Sequence, residues 1–304
     1  MKILYEKTDI SSYVQVRSCI LRDGAGDRCD SLEIELENAG AWYRWGPKED
    51  DSIQILHDGY DSGILFLHSV MPEDGCFRIH ATALPCSARE RENRSYLSMT
   101  LEEIIRACAI RAGMKYELYG LDGRLFYSYL ERREEGAAAF LNRLLRAEGA
   151  ALKCINGRFC AIGLRYAQDR NATQTIRVLA DQEGAAYYRS GEKLRTLTVR
   201  TPWAIARAED TNVEGNAGRT EESFPARDAL QAGRWARGSL LDINRRCEEL
   251  RLQSEFNRGF SALARIDVTG GTDADGEWLI QDVEHDLIEG TSTVSMHRCV
   301  RSIK

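Results

Sequence analysis

Residues 30–37 read DSLEIELE, and within them leucine and isoleucine alternate strictly with glutamate. A period of two is typical of a strand with one face on the core and the other face in water. Four neighbouring segments also read as strands and are separated by turn residues: 13–16, 52–56, 64–70 and 77–83. Short strands at this spacing favour a small antiparallel β-barrel for the N-terminal part of the chain.

The middle of the chain changes to a helical pattern. Thr100 followed by Glu103 is a capping-box signature, and the apolar residues that follow it have helical spacing. A second helix is predicted over about residues 134–148. An Asn-Gly dipeptide at 156–157 stands between two short apolar runs, which indicates a tight β-hairpin. We therefore expect a compact α+β unit over about residues 96–164.

The last part of the chain returns to a β pattern. A helix is predicted over about residues 227–246. Five strands are predicted around it: 194–200, 248–254, 261–268, 277–283 and 291–299. The two β regions could be a diverged structural repeat on either side of the helical unit, although no clear repeat is visible in the residues. The segment 85–95 has the composition of a linker between the first β region and the helices.

Composition and charge exclude several classes of protein. The chain has 304 residues, of which 43% are hydrophobic and 29% charged, as in ordinary globular proteins. A formal net charge of −6 without a basic run argues against specific binding to nucleic acid. No apolar run approaches the roughly 20 residues of a membrane span, and the first residues do not resemble a signal peptide. The nine cysteines form no CxxC pair, so we expect reduced thiols in the cytosol.

No constellation of residues makes a convincing catalytic or metal site. His285 and His297 flank a predicted turn, but two histidines need a third ligand to hold a metal. Residues 273–276 begin like a calcium loop and then continue as a strand instead of a helix. The paired glutamates lie in the first turns of helices, where they complement the helix dipole. We therefore predict no catalytic residue, no metal and no cofactor.

The aromatic residues indicate where another protein could bind. Trp42, Tyr43 and Trp45 lie in one loop bounded by glycine and proline, which is the most unusual stretch of the chain. Such a loop could be an exposed contact patch, or it could equally close the end of a barrel. The closing strands near Trp278 are the second candidate. The predicted interface residues are Trp42, Tyr43, Trp45 and Trp278.

The order of these parts resembles that of baseplate hub proteins from contractile tails. This group includes the late control protein D family of phages and prophages and, more distantly, the amino-terminal part of type VI secretion spike proteins. Six segments carry the resemblance, which lies in their order and spacing: 8–14, 30–37, 42–51, 97–104, 138–144 with Gly149, and 276–285. Residues 200–223 depart from the family pattern. The chain also lacks any segment that resembles a lysozyme, a peptidase or a peptidoglycan-binding region.

The resemblance implies a fold of the α+β class that is mostly β. Two small antiparallel tube-like β-barrel domains would lie on either side of a two-helix α+β insert domain. The implied boundaries are residues 1–90 for the first barrel, 91–165 for the insert and 166–304 for the second barrel, which contains an additional helix.

The resemblance also implies a structural function without enzymatic activity. Three copies would form a homotrimeric ring that joins the sixfold tail tube to the threefold central spike. The expected partners are thus the spike protein, the tail tube protein and other baseplate subunits. Assembly is expected in the bacterial cytoplasm, and the product would be the baseplate of a phage, a tail-like bacteriocin or an injection system. The alternatives are a spike base, a distal tail protein or, less favoured, a cell-wall hydrolase of the tail tip.

Overall fold

The computed structural model describes residues 1–37, 46–73, 75–222 and 225–304. Over these residues the chain is mostly β and contains five helices. Most of the strands belong to one 14-stranded sheet, and three smaller sheets surround it. The fold is therefore α+β with a large excess of strand, as the sequence predicts.

The N-terminal part consists of antiparallel strands with one buried face. The alternating segment forms a strand in which Leu32, Ile34 and Leu36 are fully buried while the glutamates are half-buried on the other face. The strands of this part are β1 (Lys2–Tyr5), β2 (Thr8–Asp9), β3 (Val16–Gly24), β4 (Ser31–Glu37), β5 (Ser52–His57), β6 (Tyr60–Asp61), β7 (Leu65–Glu73) and β8 (Cys76–Thr82).

The middle part contains the two predicted helices and the predicted hairpin. The Thr100 side chain accepts a hydrogen bond from the Glu103 amide, and the Glu103 carboxylate accepts one from the Thr100 amide, so the capping box is confirmed. Asn156 and Gly157 both have positive φ, as the tight turn between paired strands requires. The elements are α1 (Cys86–Arg89), β9 (Glu92–Thr100), α2 (Leu101–Arg111), β10 (Lys115–Tyr119), β11 (Phe126–Glu135), α3 (Ala137–Ala147), β12 (Ala150–Ile155), β13 (Arg158–Gly163) and α4 (Leu164–Asp169).

The structure corrects the prediction that residues 85–95 are a linker. This segment contains the short helix α1 and the first residues of β9, and β9 pairs along its length with β11. Arg132 explains why a polar stretch is ordered here, because its buried guanidinium donates to the carboxylate of Glu92 at 2.6 Å and to the carbonyl of Glu90 at 2.8 Å. The segment is therefore part of the insert.

The C-terminal part contains the predicted long helix and more strands than the sequence indicates. Asp228 caps the helix by accepting a hydrogen bond from the amide of Gln231. The elements are β14 (Gln174–Arg177), β15 (Ala185–Arg189), β16 (Thr196–Arg200), β17 (Ile205–Glu209), β18 (Gly218–Glu221), α5 (Ala229–Arg245), β19 (Glu248–Glu255), β20 (Arg265–Thr269), β21 (Gly276–Asp286) and β22 (Thr291–Arg298).

The large sheet joins the two ends of the chain. Its order is β15-β19-β22-β21-β3-β4-β8-β7-β5-β1-β2; in addition β20 pairs with β21, β14 pairs with β20, and β6 pairs with β5. The N-terminal strands meet the C-terminal strands where β3 pairs antiparallel with β21. Both β regions thus belong to one continuous hydrogen-bonded sheet.

The two halves of this sheet have the same strand order. In the N-terminal half β3, β4, β8 and β7 are neighbours, and in the C-terminal half β15, β19, β22 and β21 are neighbours, always antiparallel. In chain order, the third of these four strands is β7 in the N-terminal half and β21 in the C-terminal half. The pairing register shifts in both strands, between Leu67 and Ser69 in β7 and between Ile280 and Asp282 in β21. Ahead of the register shift, β5 pairs with β7 and β20 pairs with β21. This repeated topology supports the structural repeat suggested by the sequence pattern.

A separate three-stranded sheet accounts for the segment that departs from the family pattern. It has the order β17-β16-β18 and packs against α5. Leu197, Val199 and Ala208 are its buried residues. Residues 200–222 are therefore an ordered extension of the C-terminal half.

Candidate functional site

The joint between the two halves is a short ladder with one ion pair across it. Residues 282–286 of β21 lie opposite residues 20–24 of β3. Glu284 faces Arg22, and its carboxylate accepts a hydrogen bond of 2.8 Å from the Arg22 Nε. Both side chains are partly exposed, so this pair contributes little energy and the joint depends mainly on the backbone ladder.

A buried polar cluster fixes three parts of the chain to one another. The Lys153 Nζ on β12 donates to Asp23 and to Asp30, both at 2.7 Å, and all three residues are buried. Asp23 also accepts hydrogen bonds from the Ser261 hydroxyl at 2.8 Å and the Ala262 amide at 3.0 Å. The cluster therefore connects the N-terminal half, the insert and the C-terminal half.

The charges in this cluster are unequal because one cation serves two carboxylates. Burial opposes ionisation of Asp23, but Lys153 and the donors from residues 261–262 outweigh it and lower the pKa of Asp23. Burial raises the pKa of Asp30 to about 6, because the attraction of Lys153 is shared and Asp23 repels it. The two carboxylates raise the pKa of Lys153 despite its burial. The cluster thus holds Asp23 and Lys153 as ions.

Glu148 is one of the carboxylates that join helix α5 to the insert; Asp242 on α5, which accepts from Arg146 of α3 at 2.6 Å, is another. Glu148 follows the end of α3 and accepts hydrogen bonds from the Trp235 Nε1 at 2.7 Å, the Arg234 Nε at 3.0 Å and the Tyr127 hydroxyl at 2.8 Å. The helix backbone also approaches this point closely, because a Cβ added at Gly238 would overlap the Ala147 carbonyl. The insert and the C-terminal half therefore form one packed unit.

Two strand edges of the large sheet remain open. Among the described residues, no strand pairs with the edge of β15 that faces away from β19, or with the edge of residues 69–73 of β7 that faces away from β8. Each edge carries an exposed apolar side chain, Tyr188 at 48% exposure on β15 and Met71 at 46% on β7. Open edges with apolar residues are candidate surfaces for pairing with another chain.

Of the four sequence-predicted interface residues, the structure describes Trp278. Trp42, Tyr43 and Trp45 lie outside the residues that the structure describes, so their role stays a prediction. Trp278 is 0% exposed and packs inside the C-terminal half, where its Nε1 donates to the Ala274 carbonyl at 2.7 Å. Any contact made by the closing strands would therefore use other side chains than this ring.

The sequence analysis did not indicate Met71 or Tyr188, and it did not predict β15. The only signal in the residues is the run AAYY at 185–188, which follows Gly184. Such a run has no alternation and resembles a loop as much as a strand. The open edges become visible only when the strand order of the whole sheet is known.

The two histidines near the last turn are structural. The His285 Nδ1 lies 2.8 Å from the Ser292 hydroxyl, and the rings of Tyr60 and Phe256 pack on it within 5.2 Å. Burial lowers the pKa of His285, and burial together with Arg245 lowers the pKa of His297 to about 4. Within the described ranges, no three histidine, cysteine or acidic side chains form a metal-binding group. No helix there is long and apolar enough to cross a membrane.

Comparison with solved structures finds several proteins with a similar fold. A 43 kDa tail protein of prophage MuSo2 from Shewanella oneidensis superposes with a TM-score of 0.72 at 11% identity, over 98% of this chain and 97% of that protein. A tail protein from Neisseria meningitidis MC58 gives a TM-score of 0.73 at 10% identity, over 98% and 95% of the two chains.

A third likeness comes from a secretion system. The c3393 protein of E. coli, a type VI secretion component described as similar to the T4 tail proteins gp27 and gp5, gives a TM-score of 0.58 at 12% identity. The match covers 95% of this chain and 75% of that protein. No protein-family model matches the sequence, and no curated protein matches it significantly. The chain thus has the fold of phage tail proteins and of a related type VI secretion protein.

Proposed function

We propose that this protein is the baseplate hub of a contractile tail or of a tail-like injection particle. Three copies form a ring between the sixfold tail tube and the threefold central spike. The protein acts by assembly and not by catalysis. The proposal extends the coarser role that its fold suggests, that of a structural component of a tail tip.

The observation that carries the proposal is the repeated strand order within one chain. Two four-stranded units with the same topology lie edge to edge, joined by β3 and β21. Three such chains bring together six units, which match a sixfold neighbour on one side, while the chain itself repeats three times for a threefold neighbour. A closed ring of this kind requires a heterologous interface.

The internal packing supports a role as a rigid adaptor. The buried cluster around Lys153 and the contacts of Glu148 hold the halves and the insert together. An adaptor under axial load has to keep its two faces in fixed register. The buried ion cluster serves this purpose better than an exposed one, since breaking a buried pair is costly.

The location of the protein in the particle tests the proposal. The bacterium that encodes the chain is induced to make particles, and an epitope-tagged chain is labelled with gold for electron microscopy. We expect label at one end of each particle, and no assembled particles when the gene is deleted. Label along the tube, or intact particles without the gene, would overturn the proposal. A peptidoglycan clearing assay separates the hydrolase alternative, for which the hub account expects no clearing.

A further inference from the structure

We infer that neighbouring copies join by pairing β15 of one copy with the second half of β7 of the next, with Tyr188 opposite Met71. This inference rests on the proposed ring and specifies the surface that closes it. The model for this contact is the pairing of β3 with β21 inside each chain.

The first step is the correspondence between the two halves. When the register shifts of β7 and β21 are aligned, Leu67 is equivalent to Ile280. The next strands follow the same equivalence, because Ala81 of β8 pairs with Leu67 and Met296 of β22 pairs with Ile280. Along the rest of the unit, the order β3-β4-β8-β7 matches β15-β19-β22-β21. Thus β3 corresponds to β15, and β7 corresponds to β21.

The second step uses the edge that this correspondence leaves open. Inside the chain, the second half of β21 pairs with β3. The equivalent of that segment is residues 69–73 of β7, and the equivalent of β3 is β15. Neither has a strand partner on the corresponding edge within the described part of the chain. A second copy, placed by the same relation, would therefore bring β15 against residues 69–73.

The third step is the register. The ladders place Leu21 opposite Leu32 and Tyr187 opposite Leu250, which are equivalent positions of the two units. Arg22 then corresponds to Tyr188, and Glu284 corresponds to Met71. Since Arg22 faces Glu284 inside the chain, Tyr188 faces Met71 between chains.

The side chains at positions 71 and 188 fit this assignment, and Pro72, at the position of His285, contributes a carbonyl but no N–H to the ladder. The joint inside the chain has an ion pair at this position, whereas the open edges have two large apolar side chains that are 46% and 48% exposed. Exposed side chains of this kind gain from burial against each other across a ladder. The occupant is a second copy, because both edges belong to the same chain and correspond to the two strands that pair at the internal joint, so that each copy offers one edge to each neighbour.

A charge-exchange series tests the pairing. Met71→Glu and Tyr188→Arg are made singly and together, so that the double variant reproduces the Glu284–Arg22 pair at the contact between copies. Each single variant is expected to raise the concentration needed for half-assembly about tenfold, because it places an unpaired charge in the ladder. The double variant is expected to restore assembly to within about threefold of the wild type. Circular dichroism melting of each variant reports whether it folds.

A cysteine pair provides the second measurement. Residues opposite each other on paired strands are close enough for a disulfide. The double variant Met71→Cys with Tyr188→Cys should therefore give, on oxidation, crosslinked dimers and trimers but no larger species. Met71→Cys with Ile288→Cys is the matched control, since Ile288 is 45% exposed but lies at a turn outside the edge. This control and both single variants should show only the background of the native cysteines.

The outcomes separate the pairing from the ring itself. The pairing is contradicted if the wild type forms a ring and all three charge variants assemble at the same concentration as the wild type. It is also contradicted if the cysteine pair crosslinks no better than the control. Either result leaves the hub proposal standing. A wild-type chain that stays monomeric alone and with its spike contradicts both.

Discussion

At the scale of single residues, the buried lysine is the most consequential side chain of the structure. Lys153 is the one cation shared by two buried carboxylates that come from another part of the chain. Its partners could not be predicted from the sequence, because Asp23 and Asp30 lie 130 and 123 residues away. A lysine in a hairpin strand gives no sign by itself that it faces inward.

The lysine cluster gives the first prediction. Lys153→Met should lower the free energy of unfolding by about 3–5 kcal/mol, because Asp23 and Asp30 would remain buried without a cation. Chemical denaturation measures the loss. The exposed Lys115 supplies the control, and Lys115→Met should change stability by less than about 0.5 kcal/mol. Equal effects of the two substitutions would show that the cluster does not hold the parts together.

The buried histidine gives a prediction about pH. His297 has a pKa of about 4 in the folded chain against an ordinary 6.5, chiefly because it is buried. The neutral ring therefore stabilises the fold fully above pH 6.5, and this contribution falls as the pH drops towards 4. The loss amounts to at most about 3 kcal/mol. The free energy of unfolding, measured by denaturation at several pH values between 7.5 and 4, should change less with pH for His297→Gln than for the wild type. Identical slopes for the variant and the wild type would contradict the assignment.

At the scale of elements, local signals in the sequence predicted local structure well. The capping box at Thr100, the Asn-Gly hairpin and the alternation of β4 each depend on residues within a few positions of one another. The strands β14, β15, β17 and β18 lack such signals because they are four or five residues long. Their strand conformation depends on partners in the sheet.

Helix α5 offers a test of close packing between elements. An added Cβ at Gly238 would overlap the backbone of Ala147 and Gly149, whereas one at Gly233 would meet the Ala206 Cβ at an ordinary 3.8 Å. Alanine favours a helix over glycine by about 0.5–1 kcal/mol, so Gly233→Ala should stabilise the protein slightly. Gly238→Ala should destabilise it by about 1–3 kcal/mol. Thermal melting of the two variants decides the matter, and a stabilised Gly238→Ala would show that the helix does not approach the insert so closely.

At the scale of the whole molecule, the strand order carries information that the sequence pattern could not provide. The pairing of β3 with β21 joins residues 262 positions apart, as in the bond between Arg22 and Glu284. Composition and periodicity indicated two β regions and a helical unit between them, and the order of these parts suggested the tail protein resemblance. The open edges, and with them Met71 and Tyr188, required the three-dimensional pairing.

The most direct test of the hub account is the mass of the purified chain in solution, alone and co-expressed with its proposed spike partner. Light scattering should give three times the 34.3 kDa of one chain, or a complex of three copies with three spike chains. A mass of 34.3 kDa in both preparations would contradict the ring.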